Sequence, residues 1–295
     1  MKPEATGNFD GKHLVIFGCG YIGGEVARQA VERGMRVTAL TRNEQKAADL
    51  RGRGIATVVA ELSGDAWHAE VGAADWALNC VSSGGGGGDA YRRSYLAGMK
   101  SVLGWAAGRG AADTLVYTSS TSVYPQYGGV VVDETSPATG RDERTAVLVE
   151  TEALLRASAV RRRVVLRLAG IYGPGRTHLV KQVQAGEVAG VGTHHLNLIH
   201  RDDVVSAIWA AFGAPVMPAG EIFNVADDGA ATKAEVTAWL AAQLELPAPR
   251  FTGEPAGGRG PVPDRIISNA RLRSVLGWRP RWPSYREGYA NLLSR

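Results

Sequence analysis

Apolar residues in the first half of the chain fall in short unbroken runs, separated by stretches with a helical rhythm. HLVIFG (13–18), RVTALTR (36–42), IATVVAEL (55–62), DWALNCVSS (75–83), TLVYTSS (114–120) and RVVLRLAGIYG (163–173) read as strands. Between them, EVARQAVERG (25–34), QKAADLRGRG (45–54), YRRSYLAGMKSVLGWAAGRG (91–110) and RTAVLVETEALLRAS (144–158) read as helices. Strands alternating with helices at this spacing are βαβ units. Strands apolar on both faces belong in a parallel sheet covered on both sides. The expected fold is α/β, a doubly wound parallel sheet.

After Pro174 the rhythm loosens. HLVKQVQAGEV (178–188) predicts a helix, and LNLIHRDDVVSAIWAAF (196–212) a short strand running into a helix. EIFNVAD (221–227) predicts a strand and TKAEVTAWLAAQL (232–244) a capped helix, followed by a Pro/Gly/Arg-rich loop (247–265) and a tail. This suggests a doubly wound domain over 9–173, joined by 196–226. A smaller lobe takes 174–195 and 227–295.

Bulk composition narrows the picture. No apolar run nears the roughly 20 residues needed to span a bilayer. The first twelve residues hold no apolar signal core, which favours the cytoplasm. Cys19 and Cys80 are too few for a disulfide framework. His194 and His195 lack a carboxylate at metal-ligand spacing, so no metal site is expected. The net charge of +4 is spread along the chain. Its one dense cluster, Arg161–Arg163, precedes an apolar strand. That argues against nucleic acid and suits an anionic cofactor or a small anionic substrate.

GCGYIGG sets Gly18, Gly20 and Gly23 in G-x-G-x-x-G spacing, with Tyr21 and Ile22 inside the motif. With 38 glycines in the chain, chance alone supplies on the order of half a match. Context carries the weight, because the motif lies where the first strand ends and a helix begins. Gly18 permits the turn, Gly20 lets backbone approach a pyrophosphate, and Gly23 lets helix and strand pack closely. The helix N-terminus then faces the phosphates. The second strand ends in Thr41-Arg42, where a carboxylate would mark NAD. A guanidinium suits a 2′-phosphate, so NADP is preferred and NAD comes second. Glu61 and Leu62 are expected beside the adenine, although Leu62 would serve equally as core. Ser82 is a candidate phosphate contact. Gly84–Gly88 form either a phosphate-hugging loop or a loose connection.

These motifs, with VYTSSTSVY, LRLAGIYGPGR, NLIHRDDVVSAI, FNVADD and NARLRSVLGWRPRW, occur in the order seen in extended, epimerase/dehydratase-type short-chain dehydrogenases/reductases. The chain resembles that family over roughly residues 12–293. The resemblance implies a Rossmann-type sheet binding NAD(P), with a smaller C-terminal substrate lobe for nucleotide-sugars and related molecules. It implies Cys80, Ala169 and Ile171 as cofactor contacts, Ser120 as the hydroxyl that orients substrate, and Ser119 beside it. Asp202 or Asp203 would cap a helix. Family members use a Tyr-x-x-x-Lys pair on the next helix. Here Arg144 stands at the tyrosine position and Leu148 at the lysine position. No tyrosine in the chain is followed four residues later by lysine. The resemblance is thus to an atypical branch. Tyr124 is the candidate replacement acid/base. Arg144, Tyr172 and Arg176 are candidate substrate contacts. A homodimer through helices 91–108 and 144–158 is expected by analogy. The alternative is a dinucleotide-binding protein that reports redox state without turnover.

Overall fold

The structure is a computed structural model, and it describes residues 9–85, 87–109, 112–214, 220–253 and 263–294. Gly86, Gly110, residues 215–219, most of the loop 247–265 (254–262) and Arg295 lie outside the described residues. The chain divides into two compact units. One is Met1–Val123, Ala138–Arg167 and Ala207–Phe223; the other is Tyr124–Pro137, Leu168–Ser206 and Asn224–Arg295.

The first strand, β1 (His13–Phe17), is buried at all five positions, as a central strand covered on both faces must be. It pairs in parallel with β2 (Arg36–Thr41) on one side and with β4 (Trp76–Asn79) on the other. The strand β3 (Ala56–Val59) adds beyond β2, and β5 (Thr114–Ser120) beyond β4, both in parallel. With Arg162–Leu168 and Glu221–Val225 they make a seven-stranded sheet in the order 221–225, 162–168, β5, β4, β1, β2, β3. Strand order therefore reverses between β1 and β4. In such sheets the crevice at the carboxyl ends of the strands at that reversal is where ligands bind.

Helix α1 (Gly23–Glu32) leads from β1 to β2, and α2 (Glu44–Arg51) from β2 to β3. Asn43 caps α2, its Oδ1 accepting the Lys46 N–H at 2.8 Å. The core of this unit packs Val15, Phe17, Trp67, Met99, Trp105 and Leu115. Trp105 Nε1 donates to the Val71 carbonyl at 3.0 Å, so this buried indole keeps its polar atom satisfied.

Two expected elements change shape. The helix expected over 91–110 begins at Gly88 and carries a π-helical turn over Arg92–Ala97. The single strand expected over 163–173 is two, Arg162–Leu168 and Gly170–Tyr172. The break has a cause. The Ala169 N–H bonds to Val225 O at 3.0 Å, whereas the Gly170 N–H turns to Asn197 O at 2.9 Å. A Cβ on Gly170 would press on that carbonyl at 3.0 Å.

The second unit packs Tyr172, Val183, Val188, Val236, Leu240, Tyr285 and Tyr289. Helices Lys233–Gln243 and Tyr285–Leu293 each start with a reciprocal capping box, Thr232/Glu235 and Ser284/Glu287. Asp202 or Asp203 is the expected helix cap, and the structure gives Asp203 another task. Its buried carboxylate accepts the N–H groups of Arg281 at 2.7 Å and Trp282 at 3.1 Å, fastening the tail. Burial pushes this acid up to about 6. Asp202 Oδ1 takes the neighbouring Arg201 guanidinium. Among the described residues no helix is long and apolar enough to cross a membrane.

Candidate functional site

The turn after β1 explains its three glycines separately. Gly18 sits at φ +90°, and a Cβ there would lie 2.6 Å from the Val81 nitrogen. A Cβ on Gly23 would lie 2.5 Å from the Gly18 carbonyl and 2.7 Å from Cys80 Sγ. These two positions are closed by packing against the end of β4. Gly20 differs, because a Cβ there would meet nothing nearer than Gly18 O at 3.9 Å. Its open face lies in front of α1, whose N-cap, Ile22, makes no side-chain cap bond. The open position at Gly20 thus lies just before the start of α1, where the positive end of the helix dipole suits an anion such as a pyrophosphate.

Cys80 acts from behind that turn. Its Sγ donates to Gly18 O at 3.1 Å, tying the turn to β4. Burial pushes the thiol far up, which disfavours the thiolate. Ser82, on the same chain segment, is exposed. At the end of β2, Thr41 Oγ1 accepts the Asn43 N–H at 3.3 Å. Arg42 Nη1 lies 3.7 Å from Glu61 Oε1, with the two side chains 58% and 67% exposed. An exposed pair at that distance is worth well under ~1 kcal/mol, so Arg42 can be drawn to a stronger anion. Leu62 is a core residue, not an adenine wall: it is buried and its Cδ2 packs on Gly98.

At the end of β5 the hydroxyls separate by direction. Ser120 Oγ accepts the Ser122 N–H at 3.1 Å and is half-buried. Ser119 points inward, and its Oγ donates to Glu152 Oε1 at 2.6 Å. Glu152 also receives Arg167, Nε to both oxygens at 3.1 Å and Nη2 to Oε2 at 2.6 Å. Ser119 is thus corrected from substrate contact to part of a buried ion-pair network. Arg167 lies within LRLAGIYGPGR and Glu152 within the helical stretch 144–158, but nothing in either marked the two as partners. The signal was their being charged residues within apolar stretches.

The tyrosines expected near the chemistry are mostly enclosed. Tyr124 is fully buried and its hydroxyl donates to Asn224 Oδ1 at 2.9 Å. That enclosure corrects its assignment as an acid/base. Tyr172 is also buried, stacked on Tyr289 with ring centroids 4.5 Å apart, and burial pushes its phenol far up. It is core, not a substrate contact. Ala169, three residues earlier, is buried, and Ile171 pairs with Ile199. Arg176 is exposed on a tight turn, its N–H bonded to Gly173 O at 2.9 Å. Arg144 opens the helix Glu143–Ala157, half-buried, with its guanidinium carbon 5.6 Å from the Tyr91 ring centre. Leu148 is 4% exposed. Among the described residues no group of three or more His, Cys, Asp or Glu could hold a metal ion.

The model of the NAD dependent epimerase/dehydratase family matches residues 14–226. The chain belongs to that family. The match takes in the glycine turn, the β5 hydroxyls and the strand Glu221–Val225, so the epimerase/dehydratase pattern covers the whole first unit from β1 onward. Protein YeeZ of Escherichia coli (strain K12) is 28% identical over 278 residues, 92% of this chain and 97% of YeeZ. A solved structure of a functionally unknown conserved protein from Silicibacter pomeroyi DSS is 26% identical with a TM-score of 0.78, covering 96% of this chain and 98% of its own. DesIV, a dTDP-glucose 4,6-dehydratase from Streptomyces venezuelae solved with NAD, shares the fold at a TM-score of 0.80. It is 19% identical and covers 96% of each chain. The helix that follows β5 carries the half-buried Arg144 and the buried Leu148.

Proposed function

We propose that the chain is an NADP-dependent oxidoreductase or epimerase-like enzyme acting on a small, nucleotide-linked substrate. One observation carries this reading. The open position at Gly20, at the sheet's reversal point, and Arg42 at the end of β2 belong to one unit, at the ends of neighbouring strands. Gly18, Gly20, Tyr21, Ile22 and Gly23 would hold the pyrophosphate, with Ser82 near it. Thr41 and Arg42 would hold the 2′-phosphate, and Glu61 the adenosine side. Cys80 would steady the turn. Ala169 and Ile171 are proposed as further cofactor contacts on the resemblance alone. When bound, the nicotinamide supplies hydride chemistry. Ser120 would donate to a substrate oxygen and orient it, with Arg144 and Arg176 as anion contacts. A cytoplasmic location and a homodimer through helices 91–108 and 144–158 go with this reading. DesIV was solved with NAD; Arg42 is the reason to favour NADP here.

The cofactor assignment has a direct test. Arg42→Asp should weaken NADPH binding at least about 10-fold, since a charge-assisted pair to phosphate becomes a repulsion, and should leave NADH nearly unchanged. Fluorescence titration of both dinucleotides measures this, and equal loss of the two would refute NADP. For function, cofactor absorbance is followed with UDP-glucose, UDP-glucuronic acid, dTDP-glucose and 4-nitrobenzaldehyde. Turnover is expected, and Ser120→Ala should slow it about 100-fold, the usual cost of losing a positioned donor.

A second reading is a dinucleotide-binding protein that reports redox state to a partner. What favours it is the burial of Leu148 where the family places a lysine, together with the enclosure of Tyr124 and Tyr172. Tight binding with no turnover of any probe would support it. Failure to bind either dinucleotide would sink both.

A further inference from the structure

The helix after β5 lacks a phenol, but the structure brings one to it from the neighbouring helix. Both helices start at the carboxyl edge of the sheet. β4 and β5 are parallel and in register, Trp76 with Thr114 and Asn79 with Tyr117. The segment leaving β4 reaches its helix at Gly88. The segment leaving β5 is fastened by the Gly140 N–H to Val123 O at 3.0 Å before its helix begins at Glu143. Tyr91 lies in the first turn of one helix and Arg144 in the first turn of the other.

Two successive pairs clasp these starts together. The Arg144 guanidinium lies over the Tyr91 ring at 5.6 Å, within cation–π range. Arg92 Nε donates to Glu143 Oε1 at 3.3 Å, and the Glu143 carboxylate rests against the bare Cα of Gly88. Tyr91 also packs against Tyr95, the rings tilted by 44° with centroids 5.0 Å apart. Its ring is therefore held on two sides while it stays half-buried. Among the other phenols, Tyr117, Tyr124 and Tyr172 are buried, whereas Tyr127 is 52% exposed.

We propose that Tyr91 is the proton donor of this site and Arg144 its electrostatic partner. The inference rests on the oxidoreductase reading above. In reduction, hydride from the reduced nicotinamide forms the new C–H bond at a carbonyl carbon. The C=O π pair moves to oxygen, and that oxygen takes the Tyr91 proton. The carbonyl is reduced, the dinucleotide is oxidised, and water restores the phenol. Charge left on the Tyr91 ring faces the Arg144 guanidinium, which strengthens cation–π attraction at that moment. In the reverse direction the same atoms move backward.

The test uses the full chain with NADPH and 4-nitrobenzaldehyde. Tyr91→Phe should bind NADPH as the wild type does, yet turn over at least about 100-fold slower, the usual share of a positioned acid. Arg144→Leu should lower turnover, with partial recovery in Arg144→Lys. A readout independent of turnover is the 13Cζ resonance of labelled tyrosine that Tyr91→Phe removes. It should move when aldehyde is added with oxidised NADP bound. A wild type that turns over while Tyr91→Phe matches it, or a resonance that stays still, overturns the proposal and leaves the oxidoreductase reading intact. A wild type that binds NADPH and turns over nothing overturns both.

Discussion

Glu152→Ala is expected to destabilise the protein by about 3–5 kcal/mol, the usual cost of removing one partner from a buried ion pair. Glu152 and Arg167 are only 4% and 5% exposed at their side chains. The substitution strands a guanidinium in the core and leaves the Ser119 hydroxyl without its acceptor at 2.6 Å. The size of the loss comes from desolvation and not from the worth of the pair. Hence the double variant Glu152→Met/Arg167→Met should recover most of the stability, because both charges are gone and the volume is kept. Urea unfolding with linear extrapolation reads both. A single-variant loss under about 1 kcal/mol would mean the network does not hold β5 to the helix after it.

That network also shows where sequence reading reached and where it stopped. The sheet was legible because its strands carry dense apolar runs, and β1 is buried at every position. The glycine turn was legible because Gly18 and Gly23 answer to backbone geometry that only glycine meets. Arg42 was legible by its place at the end of β2. The side-chain directions of the hydroxyl cluster were not. Ser119 and Ser120 are adjacent, and only the position of Glu152, 33 residues away, decides which one turns inward. Tyr124 looked available because a phenol after a strand looks like chemistry. Its partner, Asn224, lies 100 residues on. Tyr91 gave no local signal, because its relation to Arg144 is made by two helices starting side by side. The split strand after Leu168 was hidden for the same reason, since Gly170 answers to the Asn197 carbonyl.

In the second unit, stability should fall as pH rises from about 4 to about 8, and Asp227 should be the main cause above pH 6. Asp227 is 7% exposed, and its Oδ2 has no hydrogen-bond partner. Its Oδ1 accepts the Gly229 N–H at 3.1 Å. Burial pushes the acid up to about 8, against that bond, with Asp228, Asp203 and Glu287 adding repulsion. The phenols of Tyr172 and Tyr289 also feel its charge. The folded state therefore keeps a proton that the unfolded chain has already released, so it binds more protons across this window. Stability declines with rising pH by up to ~1.4 kcal/mol per unit, then levels off above the folded value. Asp203, held near 6, contributes the same sign at lower pH only. Asp227→Asn keeps the bond from Gly229 and carries no charge. It should match the wild type near pH 4 and exceed it by roughly 2–3 kcal/mol more at pH 8 than at pH 6. Unfolding free energies at pH 6 and pH 8 decide it. If the two proteins lose stability in parallel between those values, Asp227 ionises freely and its burial carries no penalty.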